Sequence, residues 1–224
     1  MEFKAKKLLV TGGCGFIGSN FISHFLEKYS DTTIINIDLL TYAGNLNNTK
    51  SFNDNPNYKF INADICDFKI INELFRKYKI DGVINFAAES HVDNSISDPS
   101  IFIKTNINGV YNLLSVCYKF WMNSPYKVKH EYKNSRFHQI STDEVYGSVL
   151  NSSADEQFRY NPNSPYSASK ASADMIVRSF HKTFGLNTTI SVCSNNYGKN
   201  QNKEKFIPKI IYNLLNNISV PVYG

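Results

Sequence analysis

A glycine loop set between a strand and a helix constrains this chain more than any other feature. Lys7-Leu8-Leu9-Val10 reads as a short buried strand and runs directly into Thr11-Gly12-Gly13-Cys14-Gly15-Phe16-Ile17-Gly18. That run satisfies G-x-G-x-x-G at Gly13, Gly15 and Gly18, and G-x-x-G-x-x-G at Gly12, Gly15 and Gly18. From Ser19 to Tyr29, apolar residues at Phe21, Ile22, Phe25 and Leu26 follow a helical period. An isolated glycine run is usually a tight turn. Strand, loop and helix in this order instead make a dinucleotide site, because glycines admit a pyrophosphate and the helix N-terminus offers it free N–H groups.

The same alternation continues downstream. A second strand, Thr33 to Ile37, ends at Asp38, twenty residues past Gly18. A carboxylate there can accept both adenosine-ribose hydroxyls and would repel a 2′-phosphate, which favours NAD over NADP. A third strand, Tyr58 to Ala63, ends at Asp64-Ile65, an acid and an aliphatic placed to hold an adenine. A helix through Ile70, Ile71, Leu74, Phe75 and Tyr78 leads to a fourth strand, Gly82 to Phe86, closed by Ala87-Ala88. Small residues at that edge leave room for a ligand between the sheet halves.

The spacing next predicts one long helix from Pro99 to Phe120, a solvated loop from Asn123 to Ser135, and a fifth strand, Arg136 to Ser141. Asn151 to Asn163 reads as a surface loop, Pro165 to Phe184 as a helix, Thr188 to Ser194 as a sixth strand, and Phe206 to Leu215 as a last helix. Alternating strands and helices define an α/β fold, a Rossmann-like doubly wound parallel sheet with helices on both faces. Residues 1–194 are expected to form the cofactor domain, and 195–224 the start of a small substrate-binding region.

The chemistry concentrates at Thr142-Asp143-Glu144, where a hydroxyl and two adjacent carboxyls follow the fifth strand. On its own an Asp-Glu pair is a solvated turn. Beside a cofactor loop, and upstream of Tyr166 and Lys170 one helical turn apart, it points to proton chemistry. Alone, the Tyr-Lys pair divides evenly between function and a packed aromatic with a solvated lysine. A hydrophobic content of 42%, with 19% charged residues, suffices for a core, and the net charge of +5 includes no basic run that would argue for nucleic acid. Cys14, Cys66, Cys117 and Cys193 form no metal-ligating or disulfide pattern. No apolar run reaches transmembrane length, so a cytoplasmic, membrane-free protein with reduced thiols is expected.

These residues resemble an extended short-chain dehydrogenase/reductase. Longer runs look specifically like the nucleotide-sugar 4,6-dehydratases: Asn36-Ile37-Asp38 through Thr41-Tyr42-Ala43-Gly44-Asn45-Leu46, Ala87-Ala88-Glu89-Ser90-His91-Val92-Asp93, Ser141 to Gly147, and Ser194-Asn195-Asn196-Tyr197-Gly198. The Thr-Asp-Glu run separates them from sugar epimerases, the runner-up. Lys199 departs from the family pattern, in which proline usually follows Tyr-Gly. Such proteins continue past the position of Gly224, so a silent NAD-binding protein is a further alternative.

The resemblance implies a lyase with NAD as cofactor. Its substrate is a nucleoside-diphosphate glucose, dTDP-glucose favoured over UDP-glucose, in the context of rhamnose-type deoxysugar synthesis. C4 is oxidised, water is lost across C5 and C6, and hydride returns to C6. The implied catalytic residues are Thr142, Asp143 as acid, Glu144 as base, Tyr166 and Lys170. Cofactor contacts fall to Gly12, Gly15, Phe16, Ile17, Gly18, Asp38, Leu39, Thr41, Asp64, Ile65, Phe86, Ala87, Ala88, Ser90, Thr105, Tyr166, Lys170 and Asn196. Substrate contacts fall to Ser90, Thr142, Asn195, Lys205, Phe206, Ile207, Pro221, Val222 and Tyr223. No metal is implied. A homodimer through the helices near 99–120 and 165–184 is expected on the same ground.

Overall fold

The computed structural model describes residues 5–149, 153–203 and 205–220. The glycine loop follows β1 (Lys7–Thr11) and opens α1 (Phe16–Lys28), so the helix starts three residues before the apolar period suggests. β2 (Thr33–Asp38), β3 (Tyr58–Asn62), α2 (Phe68–Tyr78) and β4 (Gly82–Asn85) follow as the alternation predicts. α2 is stopped at both ends by local chemistry. The Asp67 side chain accepts from Ile70 N at its start, and Lys79 takes a left-handed conformation at its end.

Beyond β4 the chain departs from the sequence reading. The polar run Val92–Ser97 is a short helix, α3, capped by the His91 ring, which accepts from Asn94 N. The long helix expected from Pro99 is three pieces: α4 (Ser100–Phe102), a π-helical stretch (Ile103–Gly109) and α5 (Val110–Trp121). The wide turns have a structural cause. Buried Asn106 donates to the Glu89 carbonyl and to Ser169 Oγ and accepts from Glu89 N, while Gly109 lies so close to Ile65 that a Cβ would meet its Cδ1 at 2.5 Å. A regular α-helix is opened there to satisfy tertiary contacts.

The presumed loop 123–135 also has structure. β5 (Met122–Ser124) and β6 (Lys127–Val128) form an antiparallel hairpin, followed by a 3₁₀ turn that buries Tyr132. β7 (Arg136–Thr142), α6 (Pro165–Phe184), β8 (Thr188–Cys193) and α7 (Phe206–Leu215) complete the described chain. α6 starts in a full capping box, with Ser164 and Ser167 exchanging side-chain-to-backbone bonds and Pro165 in the first position.

Six strands form one parallel sheet in the order β3-β2-β1-β4-β7-β8. The strand order reverses between β1 and β4, which is where a doubly wound sheet opens a crevice at its carboxyl edge. Alternation along β1 splits the interior in two. Leu8 and Val10 pack with Ile22 and Leu26 of α1 on one face, whereas Leu9 joins Phe75, Leu113, Trp121, Phe137 and Val177 on the other. With both faces of β1 covered, its end at the glycine loop is held from above and below.

Candidate active site

The crevice is a cleft of about 340 Å³ at the C-terminal edge of the sheet. One wall is the glycine loop. Gly12 sits at φ +68°, and a Cβ there would meet Ala87 N at 2.7 Å, so only glycine allows the loop to lie against the end of β4. A Cβ on Gly18 would strike the Gly12 carbonyl. The loop therefore packs against the first turn of α1, whose N-terminus has no side-chain cap and no acidic residue in its first turn. A 13-residue helix left open in this way, with glycines on the cleft side, fits the phosphates of a dinucleotide.

Asp38 ends β2 and is buried. Its Oδ2 accepts from Cys14 N at 2.9 Å and its Oδ1 from Leu40 N at 2.8 Å. The carboxyl thus ties the glycine loop to the following turn while still lining the cleft. Burial raises its pKa, against the pull of the Leu40 and Cys14 N–H groups. Cys14 is buried beneath the loop, and desolvation pushes its thiol up to about 12, so it is an inert filler.

The opposite wall carries the proton chemistry. Thr142 ends β7, and Asp143–Tyr146 form a 3₁₀ turn in which the Thr142 hydroxyl accepts from Glu144 N at 3.3 Å. Tyr166, in the first turn of α6, and Lys170, one turn on, are both nearly sealed from solvent. Lys170 Nζ donates to the Ile140 carbonyl at 2.7 Å, and the Thr142 hydroxyl partners the Tyr166 phenol. Burial, then the Glu144 carboxylate, raises the Tyr166 pKa; the Thr142 hydrogen bond acts the other way. Burial also raises the Glu144 pKa, followed by repulsion from Asp143, and Lys205 lowers it. Lys170 is pulled below the ordinary lysine value by burial.

The structure brings nearly all the sequence-derived residues together. Gly12, Gly15, Phe16, Ile17, Gly18, Asp38, Leu39, Thr41, Asp64, Ile65, Phe86, Ala87, Ala88, Ser90, Thr105 and Asn196 all line the cleft, as do Thr142, Glu144, Tyr166, Lys170, Asn195 and Lys205. Three do not line it. Asp143 is in the turn beside Glu144 but outside the lining. Phe206 is 73% exposed, and Ile207 faces a separate shallow groove with Tyr197 and Ile211. Neither Phe206 nor Ile207 is a core residue, because α7 buries only Asn213 among its described residues. Pro221, Val222 and Tyr223 lie outside the described residues.

Sequence reasoning missed several lining groups, including Glu89, Cys193, Asn200, Gln201 and Asn202. Glu89 was within a run already singled out, next to Ser90. The amides belong to an Asn-rich loop whose composition carries no periodic signal. His91, as expected of a lone histidine, has a structural role in capping α3. Among the described residues, no three His, Cys, Asp or Glu side chains are grouped to hold a metal.

A profile of the family described as GDP-mannose 4,6 dehydratase matches residues 9–222. The chain belongs to that family. Within the GDP-mannose 4,6 dehydratase family, it is 47% identical to a dTDP-glucose 4,6-dehydratase of Salmonella typhimurium, an alignment that takes in 97% of this chain and 62% of the relative. Its fold superposes with a TM-score of 0.87 on a dTDP-glucose 4,6-dehydratase of Streptomyces venezuelae crystallised with NAD. That enzyme is 41% identical, and the match covers 97% of this chain and 65% of the other. A dTDP-glucose 4,6-dehydratase of Bacillus anthracis, in complex with NAD, gives a TM-score of 0.85 at 42% identity, over 98% of this chain and 64% of that one. The chain thus spans less than two thirds of the length of these dehydratases.

Proposed function

We propose that this chain carries the NAD-dependent half of a dTDP-glucose 4,6-dehydratase, a hydro-lyase. The observation that supports this most directly is one cleft that joins an uncapped helix N-terminus behind glycines to Thr142, Glu144, Tyr166 and Lys170. The 41–42% identical dehydratases described with NAD support the same cofactor here. Residues 1–194 form the cofactor region in this reading, and 195–224 begin the substrate region.

Bound NAD would supply the acceptor for the hydride lost from C4 and, once reduced, the donor of that hydride to C6. The residues supply everything else. Tyr166 takes the proton of the sugar 4-hydroxyl, helped by the Thr142 hydroxyl, while Lys170 favours the tyrosinate by its charge. A ketone at C4 makes the C5 proton acidic. Glu144 removes that proton, and its raised pKa makes it a stronger base than a solvated carboxylate. Asp143, whose Oδ1 accepts from the Thr142 hydroxyl at 3.4 Å, then delivers a proton to the departing C6 oxygen. Lys205, at the start of α7, meets the diphosphate.

The proposed partner is a second copy of the chain. Ile103 on the π-helical stretch, Tyr111 on α5 and Met175 on α6 are 52%, 54% and 42% exposed, which suits a helical interface between copies. No helix among the described residues is long and apolar enough to cross a membrane. A cytoplasmic setting with free thiols is the matching proposal.

The test is mass spectrometry of dTDP-glucose and UDP-glucose incubated with the protein and NAD. Loss of one water from dTDP-glucose, with no net change in NADH absorbance, is expected. Net reduction of NAD, or a 4-epimer of unchanged mass, would sink the dehydratase reading.

A further inference from the structure

Tyr166, Lys170 and Asp174 stand four residues apart and form one stripe on α6. Three successive residues at the end of β7 engage that stripe. The Ile140 carbonyl accepts from Lys170, the Ser141 hydroxyl donates to Asp174 Oδ2, and Thr142 partners Tyr166. The proposed chemistry uses the first two members of the stripe and leaves the third unexplained. Asp174 has no exposed surface. Its Oδ2 also accepts from the Tyr160 hydroxyl at 3.2 Å, while Oδ1 is buried with no hydrogen-bond partner.

Burying a carboxylate is costly unless another charge balances it, and an apolar side chain would fill the same space without that cost. Two hydroxyls that deliver protons to one oxygen select the ionised form. We propose that Asp174 is a positioning residue for the Tyr166–Lys170 pair: its buried carboxylate, fixed by Ser141 and Tyr160, is the counter-charge that holds the Lys170 ammonium at the end of β7. This inference rests on the acid–base role proposed above for that pair.

The surrounding groups support it. Lys170 feels Asp174 from its own helix and Cys193 from β8. Burial raises the Asp174 pKa, and the Ser141 hydroxyl, the Lys170 charge, the Tyr160 hydroxyl and Arg178 one turn on each pull it back toward the ionised form. Tyr166 feels Asp143 and Glu144 from the 3₁₀ turn. Burial pulls Lys170 down, and Asp174 is the largest influence opposing it. Tyr160 also stacks edge-on against Tyr146, 5.4 Å between ring centres, so the loop that fixes Asp174 rests on the turn that carries Asp143 and Glu144.

The test is the titration of Lys170, followed by NMR of ¹³C-labelled lysine side chains and assigned with K170M. D174N is expected to lower the Lys170 pKa by at least about one unit, a tenfold change in proton affinity. D174E, which keeps the charge, is expected to recover most of that shift. An unchanged Lys170 titration in folded D174N overturns the proposal. Should D174N fail to fold, D174L decides: an apolar side chain of similar size removes the charge and must lower the Lys170 pKa in the same direction, and no change there overturns the proposal equally. The titration needs neither cofactor nor turnover. Parent protein that fails to bind NAD would count against the proposed function, while the titration alone judges the counter-charge.

Discussion

Lys170 Nζ lies 2.7 Å from the carbonyl oxygen of Ile140, two residues before Thr142. The lysine therefore pins the helix that bears Tyr166 to the strand that bears Thr142. A bond from a buried ammonium to a backbone carbonyl is charge-assisted, stronger than a neutral pair, and short because solvent does not compete.

Removing the phenol oxygen tests the centre of the site. Y166F keeps the ring, which packs edge-on near Phe102 at 6.3 Å, and so should leave folding intact. Turnover of dTDP-glucose is expected to fall about 10²–10⁴-fold, with NAD affinity retained. Steady-state assays beside NAD titration check both halves. Equal turnover in Y166F would remove the residue from the chemistry.

Gly12 tests the cofactor wall. G12A would place a Cβ 2.7 Å from Ala87 N at φ +68°. The left-handed backbone alone costs about 1–2 kcal/mol for a residue with a side chain. Thermal melts should show a lower Tm and a much smaller rise on adding NAD than in the parent.

The pH profile should follow Glu144. Its folded pKa is raised by burial and Asp143 and lowered by Lys205, so the base form appears only above the ordinary carboxylate value of 4.5. Removing the Lys205 cation raises it further. K205M is therefore expected to move the acid limb of kcat/KM to higher pH, with KM for the nucleotide sugar also increased. A limb that moved to lower pH would contradict the assignment of that limb to Glu144.

Ser164 tests how the helix start places Tyr166. Its side chain caps Ser167 N at 3.1 Å. S164A should lower stability by about 1 kcal/mol in urea unfolding. Because Tyr166 lies two residues on, activity should fall by more than the stability loss explains at a temperature where the variant is fully folded.

The parts legible in the sequence were those with a short-range physical signature. Glycines before an apolar helical period announced the cofactor loop, and the run from Pro165 to Phe184 announced α6. The long helix at Pro99 was misread because Asn106 and Gly109 answer to Glu89, Ser169 and Ile65, which are distant in sequence. The hairpin at Met122 was missed for a related reason. Tyr126 N donates to the Phe184 carbonyl at 2.8 Å, a bond that exists only once α6 is in place.

The sequence by itself determined the alternation of strands and helices, and hence the parallel sheet and the edge at which ligands bind. Periodicity and glycine chemistry act over a few residues and survive without a fold. Only the tertiary structure decided which groups meet at that edge. It closed Asp38 over the glycine loop, brought Asp174 under Ser141, and left Phe206 outside the cleft. Those outcomes depend on burial and on hydrogen bonds between residues tens of positions apart, and such bonds come into being only when the sheet and its helices pack together.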